Sequence, residues 1–251
     1  MKILTIGDIH GRPDWRDADI TKYDRVIIVG DLMDESRQPV EDNEMYFNTR
    51  DILLLKEENP EKVQIIPGNH DLPYMFSYDH SPCSRFRRNM YNRIHELYTE
   101  KKQLFTPAYQ IGKHIWTHAG ILKEWYDFVV MQKLINPEKN LADELNALFR
   151  SGRRQPLMCG PRRGGYDHVS GHFWADASEH MNAQSMIPYH QIVGHSRVKN
   201  IFTWYGRKSE TIAPKNPKAS ITFVDCLDQR ESLKEAGRPL FHELELSNAE
   251  G

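Results

Sequence analysis

Five times along this chain a short apolar run stops at a turn that carries a residue able to hold a cation. The runs over 2–6, 25–29 and 63–66 lead into Gly7-Asp8-Ile9-His10-Gly11, Gly30-Asp31-Leu32-Met33-Asp34 and Gly68-Asn69-His70-Asp71. Two later runs, over 114–117 and 191–193, lead into His118-Ala119-Gly120 and Gly194-His195-Ser196. Runs this short and this rich in β-branched residues read as buried strands of an α/β fold. In open α/β sheets, ligands bind beyond the carboxyl ends of the strands. The pattern therefore delivers polar residues from five strands to one edge.

The intervening segments agree. Apolar residues recur at helical spacing over 40–56 and again over 85–102. The stretch 121–150 reads as two helices broken near Asn136-Pro137, and 151–171, rich in Arg, Gly and Pro, reads as a loop over the site. The segments 200–204, 220–226 and 240–246 read as strands of a second sheet, with an antiparallel arrangement open. With 251 residues and no repeat or low-complexity linker, the expectation is one domain over 1–251 of two packed sheets with outer helices. Residues 121–175 form a helical and Arg-rich insertion near the site.

Composition removes several function classes. Lys plus Arg total 33 against 35 Asp plus Glu, so no global field draws the chain to nucleic acid or to an anionic membrane. No run approaches the ~20 apolar residues of a membrane helix. The first residues are too soon interrupted by charge for a signal peptide. The three cysteines, Cys83, Cys159 and Cys226, are few and widely spaced, which predicts neither a disulfide framework nor a cysteine zinc site. The expected location is the reducing cytoplasm.

The chemistry lies in the turns. Residues two apart in extended backbone point the same way, so Asp8 and His10 can grip one cation together. Asp31 carries two oxygens and can bridge two ions. Asn69 offers a neutral, hard amide oxygen to a second ion, and His118 and His195 add imidazoles. Carboxylate, imidazole and amide oxygen without thiolate suit Mn²⁺, Fe or Zn²⁺ and suit Ca²⁺ poorly.

In this order and spacing, GDIHG, GDLMD, GNHD, THAG and GHS resemble the calcineurin-like metallophosphoesterase superfamily, and within it the phosphoprotein phosphatase and symmetrical diadenosine tetraphosphatase branch. His172-Phe173-Trp174-Ala175-Asp176 is similar to that branch's tryptophan-aspartate stretch. The resemblance implies two packed mixed β-sheets flanked by helices in four α/β/β/α layers. It implies two divalent ions, Mn²⁺ foremost. Asp8 and His10 would hold the first ion, Asp31 would bridge, and Asn69, His118 and His195 would complete the second. His70 would be the general acid, with Asp34 orienting its ring. Such an enzyme hydrolyses phosphate monoesters with a hydroxide activated by both metals, and a serine/threonine phosphoprotein is one expected substrate.

The chain also departs from the pattern. Many relatives in that superfamily end in G-H-x-H, and Arg197 stands at the second His. Phosphoprotein phosphatases place a substrate-binding Arg where this chain has Glu35, so another cation must grip the phosphate: Arg12, Arg162, Arg163 and Arg197 are the candidates, with Arg153 and Arg154 also on the loop. Asp71 replaces a Glu common in eukaryotic relatives. His168 and His172 border the loop and are further candidates for substrate contact.

Three other functions compete with the phosphomonoesterase reading. One is hydrolysis of diadenosine tetraphosphate, other dinucleoside polyphosphates or nucleotides, which would suit the arginines of 151–171. The second is a catalytically silent binding scaffold, opposed by the intact ligand positions and His70. The third is a nuclease, opposed by the near-neutral charge and by the absence of a basic, aromatic-interleaved stripe. Neither composition nor motifs indicate an oligomeric state.

Overall fold

The computed structural model describes residues 1–34, 40–76, 85–206 and 217–247. The first sheet has the order β3-β2-β1-β9 and the second β4-β5-β6-β8-β7. In the first, β1 (Lys2–Ile6), β2 (Arg25–Ile28) and β3 (Val63–Ile65) run parallel, and β9 (His242–Glu245) closes the edge antiparallel to β1. In the second, β5 (His114–Thr117), β6 (His190–Val193) and β8 (Ser220–Phe223) run parallel. They are flanked by antiparallel β4 (Ala108–Ile111) and β7 (Phe202–Trp204). Each mixed sheet thus holds a block of three parallel strands.

The alternation of side chains explains the layering. In β1, Ile3 faces the second sheet and packs with Trp116, Ile192 and Val224. Leu4 and Ile6 face the other way with Val26 and Ile28. They meet Met45, Ile52 and Leu53 of α1 (Asp42–Glu58) and Ile94, Leu97 and Tyr98 of α3 (Tyr91–Glu100). Between these two helices lies the single turn α2 (Leu72–Met75). On the far side, Ile115 packs with Trp125 and Val129 of α4 (Lys123–Met131) and with Leu145 and Leu148 of α5 (Leu141–Arg150). Two short helices, α6 (Ala177–Asn182) and α7 (Arg230–Glu235), follow. The result is the four-layer α/β/β/α stack. Across its middle, the Trp116 indole N–H donates to Thr5 Oγ1 at 2.9 Å, so the one polar atom of a fully buried ring is satisfied.

The topology corrects two sequence expectations. The segment 240–246 joins the first sheet, where β1 offers an open edge, rather than the second. The second sheet is antiparallel only at its two edge strands, because β5, β6 and β8 return through long crossovers. Strand β4 was not foreseen; it forms a tight hairpin with β5 around Gly112. Residues 151–171 contain two single 3₁₀ turns, Gln155–Leu157 and Pro161–Arg163, in otherwise irregular chain.

Candidate metal centre

Six parallel strands, three from each sheet, end at one edge. Their turns are tied to one another: the amides of Ile9, His10 and Gly11 donate to the carbonyls of Gly30, Asp31 and Leu32, and the Gly194 amide to that of His118. Close approach is possible because glycine precedes the donors. A Cβ on Gly194 would lie 1.9 Å from Asp8 Oδ1, and one on Gly68 would lie 2.1 Å from Asp31 Oδ1. Four of the six non-glycine residues with positive φ among the described ones are His10, Asp31, Asp34 and His195. Strain of this kind costs about 1–3 kcal/mol per residue and gathers where a function holds it in place.

Two donor sets result, each with all atoms within 4.8 Å of one another: Asp8, His10 and Asp31, and Asp31, His118 and His195. Asn69 adds an oxygen to the second set, its Oδ1 lying 2.8 Å from His118 Nε2 and 2.7 Å from His195 Nδ1. His118 Nε2 stands 3.5 Å from Asp31 Oδ1, and His10 Nε2 stands 3.8 Å from Asp31 Oδ2. Asp31 therefore belongs to both groups.

The donor chemistry fits a cation. His118 Nδ1 meets the Val29 carbonyl at 2.7 Å, and His10 Nδ1 meets that of Met33 at 2.9 Å. A carbonyl only accepts, so Nδ1 carries the proton in each ring and the lone pair is left on Nε2. Burial holds His118 neutral, with a pKa of about 3, and pulls His10 well down. The bare His118 Nε2 then faces the lone pairs of Asn69 Oδ1 at hydrogen-bond distance with no proton between them. A divalent ion at that point would resolve the repulsion. The carboxylates carry the complementary signature. Burial, followed by Asp225 and Asp31, raises Asp8 well above the usual range, and burial pushes Asp31 up to about 7.

Beside these sets lies a relay. His70 donates its backbone N–H to Asp31 Oδ1 at 2.8 Å, and its ring Nδ1 is 3.3 Å from Asp34 Oδ2. Tyr74 donates its hydroxyl proton to Asp34 Oδ1 at 2.6 Å. Burial pulls the imidazole of His70 down, yet the carboxylates of Asp31 and Asp34 outweigh it and hold the ring above its ordinary value. Asp71 takes the amides of Leu32 and Gly68 and the hydroxyl of Tyr98, and so fastens the Asp31 turn to the Asn69 turn.

The four candidate arginines separate. Arg12 is 1% exposed and donates to the carbonyl of Asp8 at 3.1 Å, bracing that turn from beneath. Arg163 pairs with Asp176 at 2.9 Å and donates to Ser196 Oγ at 2.8 Å. Arg197 lies 3.7 Å from Asp228 with its side chain 22% exposed, close enough for its charge to act on His10. Arg162 is exposed and lines a separate cavity of about 550 Å³ with Lys123 and His168. Of the loop pair, Arg154 is tied to Asp167 at 2.7 Å. His172 is fully buried against Trp125 and Phe173. Glu35 and Cys83 lie outside the described residues.

The sequence reading passed over the sixth strand end. Asp225 follows β8 as Asp31 follows β2, after an apolar run, but without the glycine that precedes Asp8, Asp31, Asn69 and His195.

Known proteins resemble this one in fold and in sequence profile. Two solved structures of a cold-active protein-tyrosine phosphatase, one of them from a psychrophilic Shewanella species, share the fold. That Shewanella structure gives a TM-score of 0.50 at 15% identity, covering 91% of this chain and 72% of the other. The second, a structure at 1.1 Å, gives 0.53 at 15%, covering 91% and 70%. A metallophosphoesterase from Sphaerobacter thermophilus aligns over 95% of both chains at 14% identity, with a TM-score of 0.43. No curated protein matches the chain. The sequence profile of the calcineurin-like phosphoesterases matches residues 1–209. The chain therefore belongs to the calcineurin-like phosphoesterases and is a metal-dependent hydrolase of phosphoric esters.

Proposed function

We propose that the chain hydrolyses phosphate monoesters on phosphorylated protein side chains, serine or threonine foremost, with Mn²⁺ as the working cation. Asp8, His10 and Asp31 would hold one ion, and Asp31, Asn69, His118 and His195 the other. When bound, such a pair polarises the phosphoryl group and lowers the pKa of an attacking water. The observation that carries the reading is the His70–Asp34–Tyr74 relay lying directly against both donor sets.

The residues then divide the work. As the bond from phosphorus to the ester oxygen breaks, the departing alkoxide needs a proton. His70, whose proton its carboxylate neighbours favour against burial, is placed to give it. Asp34 anchors the ring through Nδ1, which leaves Nε2 toward the substrate. Tyr74 fixes Asp34 in turn. Arg197, with its partly exposed guanidinium beside the first donor set, is the cation we assign to the substrate phosphate. A polyphosphate chain would call on the arginines of 151–171. Arg154 and Arg163 are instead engaged with Asp167, Asp176 and Ser196, which favours the monoester.

No helix among the described residues is long and apolar enough to cross a membrane. Cys159 and Cys226 are free thiols, which suits a reducing compartment such as the cytoplasm.

A panel assay with Mn²⁺ tests the assignment. It compares phosphoserine, phosphothreonine and phosphotyrosine peptides with diadenosine tetraphosphate, simple nucleotides and a phosphodiester. Phosphoserine or phosphothreonine peptides should give the highest kcat/KM. A higher value on diadenosine tetraphosphate would replace this reading with polyphosphate hydrolysis.

A further inference from the structure

Asp225 is 1% exposed, and neither of its carboxylate oxygens has a hydrogen-bond partner. A buried carboxylate left this way costs several kcal/mol unless something absent from the protein atoms satisfies it. Its backbone is firmly placed. The Val198 amide donates to the Asp225 carbonyl at 2.9 Å, which ties it to the His195 turn. On the other side, a Cβ on Gly7 would lie 2.4 Å from the Val224 carbonyl oxygen and 3.2 Å from the Asp225 Cα. The residue before Asp8 therefore rests directly on this segment. Asp225 is wedged between the turn that carries Asp8 and the turn that carries His195 and Arg197.

Its electrostatic company points the same way. Asp225 acts on both Asp8 and Asp31. It is itself opposed by Asp228 and favoured by Arg197 and Arg12. Asp225 belongs to neither of the two donor sets, so direct ligation is not its part. The first set has only three donors, two of them from a single turn.

We propose that Asp225 is a positioning residue of the first cation: an outer carboxylate that accepts hydrogen bonds from water completing the shell of that ion, which has only three protein donors. This rests on the proposed ion pair and adds a residue to it. Outer partners of this kind are worth about 10–100-fold in metal affinity. Asp225 would then discriminate between the ions, since the second is surrounded by four donors from turns of both sheets.

The test is Mn²⁺ titration by calorimetry and electron paramagnetic resonance on wild type, Asp225→Asn and Asp225→Glu, with thermal melts of the metal-free proteins. Asp225→Asn should weaken the lower-affinity Mn²⁺ by about 10–100-fold and leave the tighter one within about twofold. It should not lower the metal-free melting temperature, because it removes an unsatisfied buried charge. Asp225→Glu should recover most of the loss. Two unchanged Mn²⁺ affinities in Asp225→Asn would overturn the inference. So would a lowered metal-free melting temperature with unchanged affinities, which would make Asp225 a brace for Arg12 and Arg197. A wild type that binds fewer than two Mn²⁺ would instead sink the ion pair itself. If the variants do not fold, a wild-type crystal soaked in Mn²⁺ decides. Asp225 must receive a hydrogen bond from water at the first ion, and its absence refutes the role.

Discussion

The two halves of the donor cluster are built to different standards. The second half draws on turns from both sheets, and Asn69 Oδ1 already sits 2.7–2.8 Å from two imidazole nitrogens. The first half uses two neighbouring turns of one sheet and has no amide oxygen; its imidazole stands 3.8 Å from the shared carboxylate, against 3.5 Å for His118 in the second. One is set by the packing of sheet on sheet before any cation arrives. The other rests on turns of one sheet stitched together by the Ile9, His10 and Gly11 amides. Affinity should follow preorganisation, because a preformed site has less ordering left to do on binding.

The largest break in this comparison should come from Asp31, which serves both halves. Asp31→Ala should remove both Mn²⁺ ions and lower kcat/KM by about 10³-fold or more, since the pair supplies several kcal/mol to phosphoryl transfer. His10→Ala should abolish the weaker Mn²⁺ event alone. Isothermal titration resolves the two cases. Loss of both ions in His10→Ala would mean that the halves form together and that the contrast is false.

Next in size is His70, which lies beside both halves and is assigned to neither. His70→Ala should cost about 10²–10⁴-fold on an alkyl phosphate. On an aryl phosphate, whose leaving group needs no proton, the loss should be at most about tenfold. Parallel kinetics on the two esters checks this. Equal losses would assign His70 to holding the Asp31 turn, through its backbone bond to that carboxylate, rather than to proton transfer.

The donors of both halves were legible in sequence. Asn69, His118 and His195 each follow a run that ends in glycine or threonine, and the fold brings them to hydrogen-bond distance. His118 and His195 each also sit at the end of a strand paired on both sides, whereas Asn69 follows the edge strand β3. The motif order named the family and the four layers before any coordinate. Other features follow from tertiary contact and carry no local mark. The positive φ of His10 and Asp31 belongs to turns stitched together by the Ile9, His10 and Gly11 amides. Arg12 reads as a candidate for the substrate phosphate but is buried, and its guanidinium reaches back to the Asp8 carbonyl. The segment 240–246 alternates like any edge strand, and only the free edge of β1 decides which sheet receives it. Asp225 went unread because its turn has neither a preceding glycine, as at Asp31, nor the following Ala-Gly of His118.

The comparison can be sharpened by pH. In the metal-free protein, burial holds the Asp31 pKa at about 7, above its value near 3.9 in the unfolded chain. Below pH 7 the folded, metal-free protein therefore binds a proton there, and an incoming cation must displace it. Apparent Mn²⁺ affinity should fall as pH drops below about 7, about tenfold per pH unit for each proton displaced from Asp31 and from Asp8, which burial also raises. Above pH 7 the dependence should flatten. Calorimetry in buffers of different ionisation enthalpy counts the protons. A pH-independent affinity between 5 and 7 would mean that Asp31 is already ionised.

The smallest expected effect probes how the relay is held. Tyr74 donates to Asp34 at 2.6 Å and receives the Arg87 amide at 3.1 Å, and its ring packs against Phe86 and Tyr98. Tyr74→Phe keeps the ring and its packing but deletes the hydroxyl. Asp34 Oδ1 then loses its donor, and the carboxylate that steadies His70 gains freedom to turn. A hydrogen bond to a charged group is worth about 1.5–3 kcal/mol, but only the part that governs ring placement should appear in the rate. The expected loss is about three- to tenfold in kcat on alkyl phosphates, about 1 kcal/mol. The aryl phosphate rate and both Mn²⁺ affinities should stay within twofold. If Tyr74→Phe instead weakened Mn²⁺ binding, the relay would be a support of the donor sets and not a separate device for moving a proton.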